Sequence, residues 1–139
     1  MIKVGIIGFD TSHAVEFTKR MNHVDISEEH WVYGAKVIMG YPGRPSSFAD
    51  NNVITQRIQL LKEFGVEIVD SAEEMIGKVN AVMLEQQEGG LHLEIAKPFI
   101  EKGIHPEETI EIIAFLEASL KSAIESSKEI YLSELIDSV

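Results

Sequence analysis

Short apolar runs alternate with segments of helical spacing along roughly the first 100 residues. The pattern predicts strands at 3–7, 35–39, 66–69 and 80–84. It predicts helices at 12–22, 53–64 and 91–102, and a short helix that a Ser71–Glu74 capping box opens before the fourth strand. Strands that alternate with helices over short loops specify a parallel sheet. The predicted fold is therefore α/β, a Rossmann-like parallel sheet of order 3-2-1-4 with helices on both faces.

The alternation ends at residues 103–105, where one predicted helix follows another. An apolar stripe at helical spacing predicts a long amphipathic helix at 105–126, formed by Ile110, Ile113, Leu116, Leu120 and Ile124. A short strand is predicted at 129–132. We therefore expect a Rossmann-like domain at 1–104, with the C-terminal helix and tail strand of 105–139 packed on the same domain.

The fourth strand has no predicted neighbour on its outer side, and an unpaired apolar edge favours aggregation. Two arrangements would cover this edge. The tail strand could add to the sheet, or two chains could form a homodimer through the long C-terminal helix, the open sheet edge or both.

The composition of the chain argues against several kinds of partner and of metal site. The chain has 139 residues, which fits one domain, and its net charge is −11. A nucleic-acid or anionic-membrane surface needs clustered Lys and Arg, so neither partner is expected. There is no cysteine, which excludes disulfides and thiolate metal sites. No apolar run is long enough to span a membrane, and the N-terminus reads as a strand, so a cytoplasmic location is expected.

The loop after the first strand, GFDTSH at 8–13, lies where a dinucleotide-binding loop would lie. A strand that ends at Gly8 and is followed by a helix N-terminus predicts a diphosphate site formed by backbone N–H groups. The Thr11 and Ser12 hydroxyls would assist, and His13 lies beside them. Asp10 stands at the second glycine of such a loop. A carboxylate favours a helix N-terminus as a phosphate does, so Asp10 is expected to compete with the ligand. The alternative is that Asp10, Thr11 or Ser12 simply caps the helix.

The loop after the second strand carries no acid at the position where NAD-binding domains hold the ribose hydroxyls. It offers instead polar and flexible residues: Tyr41, Gly43, Arg44, Ser46 and Ser47. An arginine there suits the 2′-phosphate of NADP, so the loop leans towards NADP over NAD. The alternative is a solvated loop with no ligand.

Glu85, Gln86 and His92 follow the fourth strand and form the third candidate segment. Glu88 and His92 are close in sequence, and a histidine beside an acid can act as an acid–base pair. A histidine at a helix start more often has a capping or packing role.

A separate run holds His23, Asp25, Glu28, Glu29 and His30. Its spacing matches no metal-ligand pattern, which indicates an acidic surface loop and no metal site.

Four segments in order resemble the nucleotide domain of the Gfo/Idh/MocA oxidoreductases: GIIGFDTSH at 5–13, GAKVIMGYPG at 34–43, FGVEIVDSAEEM at 64–75 and VNAVMLEQQEGGLHLEIAKPFIEKG at 79–103. The resemblance implies an NAD or NADP cofactor and places the segment at 85–92 near the nicotinamide. It also implies that Asp10 belongs to a branch of the family whose first loop reads G-x-D-T-S-H.

The chain departs from that family after the fourth strand. The family continues with a fifth strand that bears a Lys-Pro motif and then with a large substrate domain. Here residues 105–132 resemble instead the extreme C-terminal helix and strand of the family. Lys97-Pro98 falls inside a predicted helix, so no catalytic residue is assigned.

Three functions follow from the sequence. The chain binds NAD(P) without catalysing a reaction alone, or it is a dimeric regulatory remnant without cofactor, or it is one half of a split oxidoreductase.

Overall fold

The computed structural model describes residues 1–44 and 50–102. The strands are β1 (Ile2–Ile7), β2 (Ala35–Tyr41), β3 (Glu67–Ile68) and β4 (Ala81–Leu84), and the helices are α1 (His13–Asn22), α2 (Asn51–Glu63) and α3 (His92–Glu101). Short 3₁₀ turns occur at Glu28–His30, Ala72–Met75 and Gly89–Leu91. The predicted C-terminal helix and tail strand, the boundary at residue 104, and Ser46 and Ser47 lie outside the described residues.

The four strands form one parallel sheet of order β3-β2-β1-β4, which confirms the predicted Rossmann-like topology. The chain moves outward from β1 through β2 to β3 and then returns to the other side of β1 for β4. Ligands of open α/β sheets bind outside the carboxyl ends of the strands at such a reversal. The carboxyl end of β1 is therefore the position at which a ligand site is expected.

Helices and turns cover the sheet because its strands are apolar on both sides. On one side, α1 and α2 pack on β1 and β2 through a buried cluster: Val4, Ile6, Phe9, Ala14, Val15, Val37, Leu61 and Val66. On the other side, Gly5 lies against Met75 and Val79, and α3 packs against the same 3₁₀ turn. In the described part of the chain, no helix is long and apolar enough to cross a membrane.

Several predicted boundaries shift. β2 continues two residues past the prediction, to Tyr41, because Gly40 and Tyr41 still pair with β1. α2 starts two residues early, since the Asp50 side chain accepts a hydrogen bond from the Asn52 N–H at 2.8 Å. The short helix predicted after Ser71 is only a 3₁₀ turn, although the Glu74 carboxylate accepts the Ser71 N–H at 3.1 Å, as the capping-box pattern predicted.

The side chain of Asn22, the last residue of α1, binds the backbone of β2 at a position that no described strand reaches. β3 pairs with β2 only at Met39 and Gly40, so it does not reach Val37. The Asn22 amide oxygen accepts the Val37 N–H at 2.8 Å, and the amide nitrogen donates to the Val37 carbonyl at 2.9 Å. Both backbone groups of a strand residue are thereby satisfied by one side chain.

We predict that Asn22→Ala lowers the free energy of unfolding by about 1–3 kcal/mol, because it leaves two backbone groups of β2 without partners. Asn52→Ala, which removes the same side chain from an exposed position of α2, should change stability by less than about 0.5 kcal/mol. Urea unfolding followed by circular dichroism measures both. Equal effects of the two substitutions would contradict the role given to Asn22.

Candidate functional site at the carboxyl ends of the strands

The loops that follow β1, β2 and β4 meet at one edge of the sheet. The Gly8 N–H donates to the Tyr41 carbonyl at 3.0 Å, and the Phe9 N–H donates to the Pro42 carbonyl at 2.9 Å. On the other side of β1, the Glu85 N–H donates to the Ile7 carbonyl at 2.7 Å. The three predicted loop segments are therefore brought together.

Two glycines allow these loops to approach closely. Gly8 has a φ of +92°, and a Cβ added there would lie 2.4 Å from the backbone nitrogen of Gln86. Gly43 has a φ of +94°, and its Cβ would lie 2.8 Å from the Gln86 side-chain oxygen. Positive φ and missing space both exclude larger residues at these two positions.

Gln86 occupies the centre of this junction and is only 2 % exposed. Its side-chain oxygen accepts the Arg44 N–H at 3.1 Å, and its side-chain nitrogen donates to the Arg44 carbonyl at 2.9 Å. Its own carbonyl accepts a hydrogen bond from the Nε2 of His92. One residue thus fixes the loop after β2 and the start of α3.

Side chains of the loop after β1 bind the loop after β4, and the N-cap residue of α1 makes no side-chain cap. Ser12 is the N-cap residue of α1, but its side chain makes no capping hydrogen bond. The Asp10 carboxylate accepts the Gln87 N–H at 3.0 Å, and the Thr11 hydroxyl donates to the Glu85 carbonyl at 3.4 Å. Ser12 therefore does not cap α1 through its side chain, and the Asp10 and Thr11 side chains bind a neighbouring loop.

A histidine–carboxylate pair lies on the rim of the site, but between different residues from those predicted. The Nδ1 of His13 lies 3.2 Å from a Glu85 carboxylate oxygen, with side-chain exposures of 62 % and 15 %. His92 contacts the Gln86 carbonyl, and the described contacts include none between His92 and Glu88. The His13–Glu85 pair joins residues 72 positions apart in the sequence, which meet across the strand ends.

Arg44 also makes an ion pair with α3. Its guanidinium donates to the Glu94 carboxylate at 2.7 Å, and the two side chains are 43 % and 59 % exposed. The hydrogen bond and the charge of Glu94 raise the pKa of Arg44 above its usual value. An anionic ligand at the Arg44 guanidinium would therefore meet the charge of Glu94.

Sequence reasoning missed Arg57 of α2. Its guanidinium donates to the Phe9 carbonyl at 2.7 Å and is partly buried under the first loop. The signal was present, because Arg57 interrupts the apolar face that Ile54, Ile58 and Leu61 define. Glu94 was also missed, and as an exposed acid on a helix it gave no signal.

The acidic run at 23–30 and Lys97 are not part of this edge. His23 stacks on Trp31 with ring centroids 4.4 Å apart, and Asp25 pairs with Lys19 at 2.8 Å. Within residues 1–44 and 50–102, no three His, Asp or Glu side chains form a group that could hold a metal ion. Lys97 is 70 % exposed on α3, where it pairs with Glu101 at 3.8 Å.

Comparisons with protein-family models, with curated proteins and with solved structures gave no match. The resemblance to the Gfo/Idh/MocA oxidoreductases therefore stays a prediction from the quoted sequence segments.

We predict that Gln86→Ala lowers the free energy of unfolding by about 1–3 kcal/mol, since it removes the partners of the Arg44 backbone. Gln87→Ala is the matched control: this adjacent side chain is exposed, and only its backbone N–H is used. Thermal unfolding should separate the two variants clearly. A Gln86 variant as stable as the control would show that the junction does not depend on this amide.

Proposed function

We propose that this protein is an NAD(P)-binding Rossmann domain that resembles the Gfo/Idh/MocA oxidoreductases and does not catalyse hydride transfer alone. The observation that carries the proposal is the geometry at the end of β1. Gly8 turns the chain at the reversal of strand order, and α1 begins directly afterwards with no side-chain cap. Backbone N–H groups of an uncapped helix start suit the oxygens of a diphosphate.

One positive charge beside this loop supports an anionic ligand. Asp10 and Glu85 carry negative charge there, and a diphosphate beside them needs a compensating cation. In the described part of the chain, Arg57 pairs with no carboxylate and donates to the neutral Phe9 carbonyl. Its positive charge is therefore available to a phosphate group next to Asp10.

We do not propose independent catalysis, since the described residues do not reproduce the Lys-Pro strand of the family that the sequence resembles. Hydride transfer needs a substrate held against the nicotinamide and a group that moves a proton. Lys97-Pro98 lies within α3, where the lysine is exposed, so it does not supply the family's Lys-Pro strand. A partner chain that carries a substrate domain would complete the enzyme, which is the split-oxidoreductase alternative.

We predict that calorimetric titration detects micromolar binding of NADPH or NADH, and that Asp10→Asn strengthens it about three- to tenfold. Asparagine keeps an acceptor for the Gln87 N–H and removes the charge that repels a diphosphate. Asp25→Asn is the control, because it removes one charge near the far end of α1. A folded protein that binds neither nucleotide, in the wild type or in Asp10→Asn, would refute the proposal.

A second function, that of a dimeric regulatory module, is favoured by the edge of the sheet. Among the described strands, β4 pairs with β1 alone, and all four of its residues are only half-buried. Leu93 on the following helix is 66 % exposed. An apolar strand edge beside an exposed leucine suits a second copy of the chain.

We predict that the mass measured by light scattering rises from monomer to dimer with protein concentration, and that Leu93→Ser weakens the dimer. Tyr33→Ser is the control, since Tyr33 is 70 % exposed but precedes β2 at the opposite end of the sheet. A constant monomer mass over the whole concentration series would exclude this function.

A further inference from the structure

The Arg44–Glu94 ion pair joins two parts of the fold that lie on opposite sides of β1. Arg44 follows β2, and Glu94 lies in the first turn of α3, which follows β4. Because β1 lies between β2 and β4, the pair spans the carboxyl end of β1. Glu94 thus reaches the loop in which Rossmann domains recognise the adenosine ribose.

The Arg44 main chain and its side chain are held by different partners. Gln86 binds both the N–H and the carbonyl of Arg44 and is itself buried. The guanidinium is held only by Glu94 among the described residues, and both of these side chains are partly exposed. The side chain can therefore change partners while the buried amide keeps the loop in place.

Exchange of partners at this guanidinium is energetically accessible. Exposed ion pairs contribute little to stability, because both charges are well solvated when apart. A ribose 2′-phosphate offers more charge than a carboxylate and can accept two parallel N–H donors from the guanidinium. A 2′-hydroxyl carries no charge to replace the Glu94 carboxylate.

We propose that Glu94 is a specificity-determining residue that competes with the ribose 2′-phosphate of NADP for the Arg44 guanidinium. This inference rests on the proposed NAD(P)-binding function. Glu94 weakens the binding of NADPH in two ways, since its carboxylate already binds one nitrogen of the Arg44 guanidinium and lies near a phosphate of like charge. The binding of NADH, which has no phosphate at that position, is not affected by the exchange.

The test is calorimetric titration of NADPH and NADH into the wild type and Glu94→Gln. The glutamine keeps the size of the side chain and removes its charge. We expect NADPH to bind about two- to fivefold more tightly to the variant, and NADH to change by less than twofold. Glu101→Gln is the matched control, because it removes a charge from the last turn of the same helix.

A double-mutant cycle isolates the competition. Adding Glu94→Gln to Arg44→Gln should give no further gain for NADPH, because the guanidinium for which both groups compete is absent. Adenosine 2′,5′-bisphosphate and adenosine 5′-monophosphate repeat the comparison without the nicotinamide half. The bisphosphate alone should respond to Glu94→Gln.

The outcomes separate the two proposals. If the wild type binds a nucleotide and Glu94→Gln leaves the NADPH-to-NADH ratio unchanged, the competition is refuted and the nucleotide site stands. An equal gain for both nucleotides also refutes it, because Glu94 would then hinder any dinucleotide. If no variant binds either nucleotide, the proposed function fails and this inference fails with it.

Discussion

The buried amide of Gln86 is the contact on which the carboxyl edge of the sheet depends. Its backbone lies against Gly8, its side chain binds the main chain of Arg44, and its carbonyl receives the ring of His92. Three loops and a helix start are therefore linked through one residue. A buried amide with both its polar atoms satisfied stabilises such a junction, whereas a half-satisfied amide would destabilise it.

The same pairing of a side-chain amide with the backbone of one residue occurs at Asn22. Among the described strands, β3 pairs with β2 only at Met39 and Gly40, so it does not reach Val37, and Arg44 lies beyond the end of β2. A side-chain amide carries one donor group and one acceptor, as a backbone peptide does, and can take the place of a strand partner. In the described part of the chain, two amide side chains thus satisfy backbone groups of β2 and of the loop after it that pair with no strand.

The basic side chains at the carboxyl edge differ in their partners, since two of them lie beside a carboxylate and one does not. Arg44 pairs with Glu94, and His13 lies beside Glu85, whereas Arg57 donates to a neutral carbonyl in the described part of the chain. An anionic ligand would find one cation ready beside the first loop. At the second loop the cation is already paired with a carboxylate. In the proposed dinucleotide site this difference would give the two halves different roles, attraction at the diphosphate and discrimination at the ribose.

The sequence by itself determined the order of elements and the topology, because apolar periodicity and short loops are local properties and crossover handedness is nearly invariant. It also identified Gly8, Asp10, Arg44 and Gln86 as residues of one edge. Only the tertiary structure decided which of them touch, since Glu85 and Gln86 meet residues from loops more than 40 positions away. Glu94 was identified only from the structure, because the packing of α3 beside the strand ends determines its partner, and no pattern along the chain indicates it.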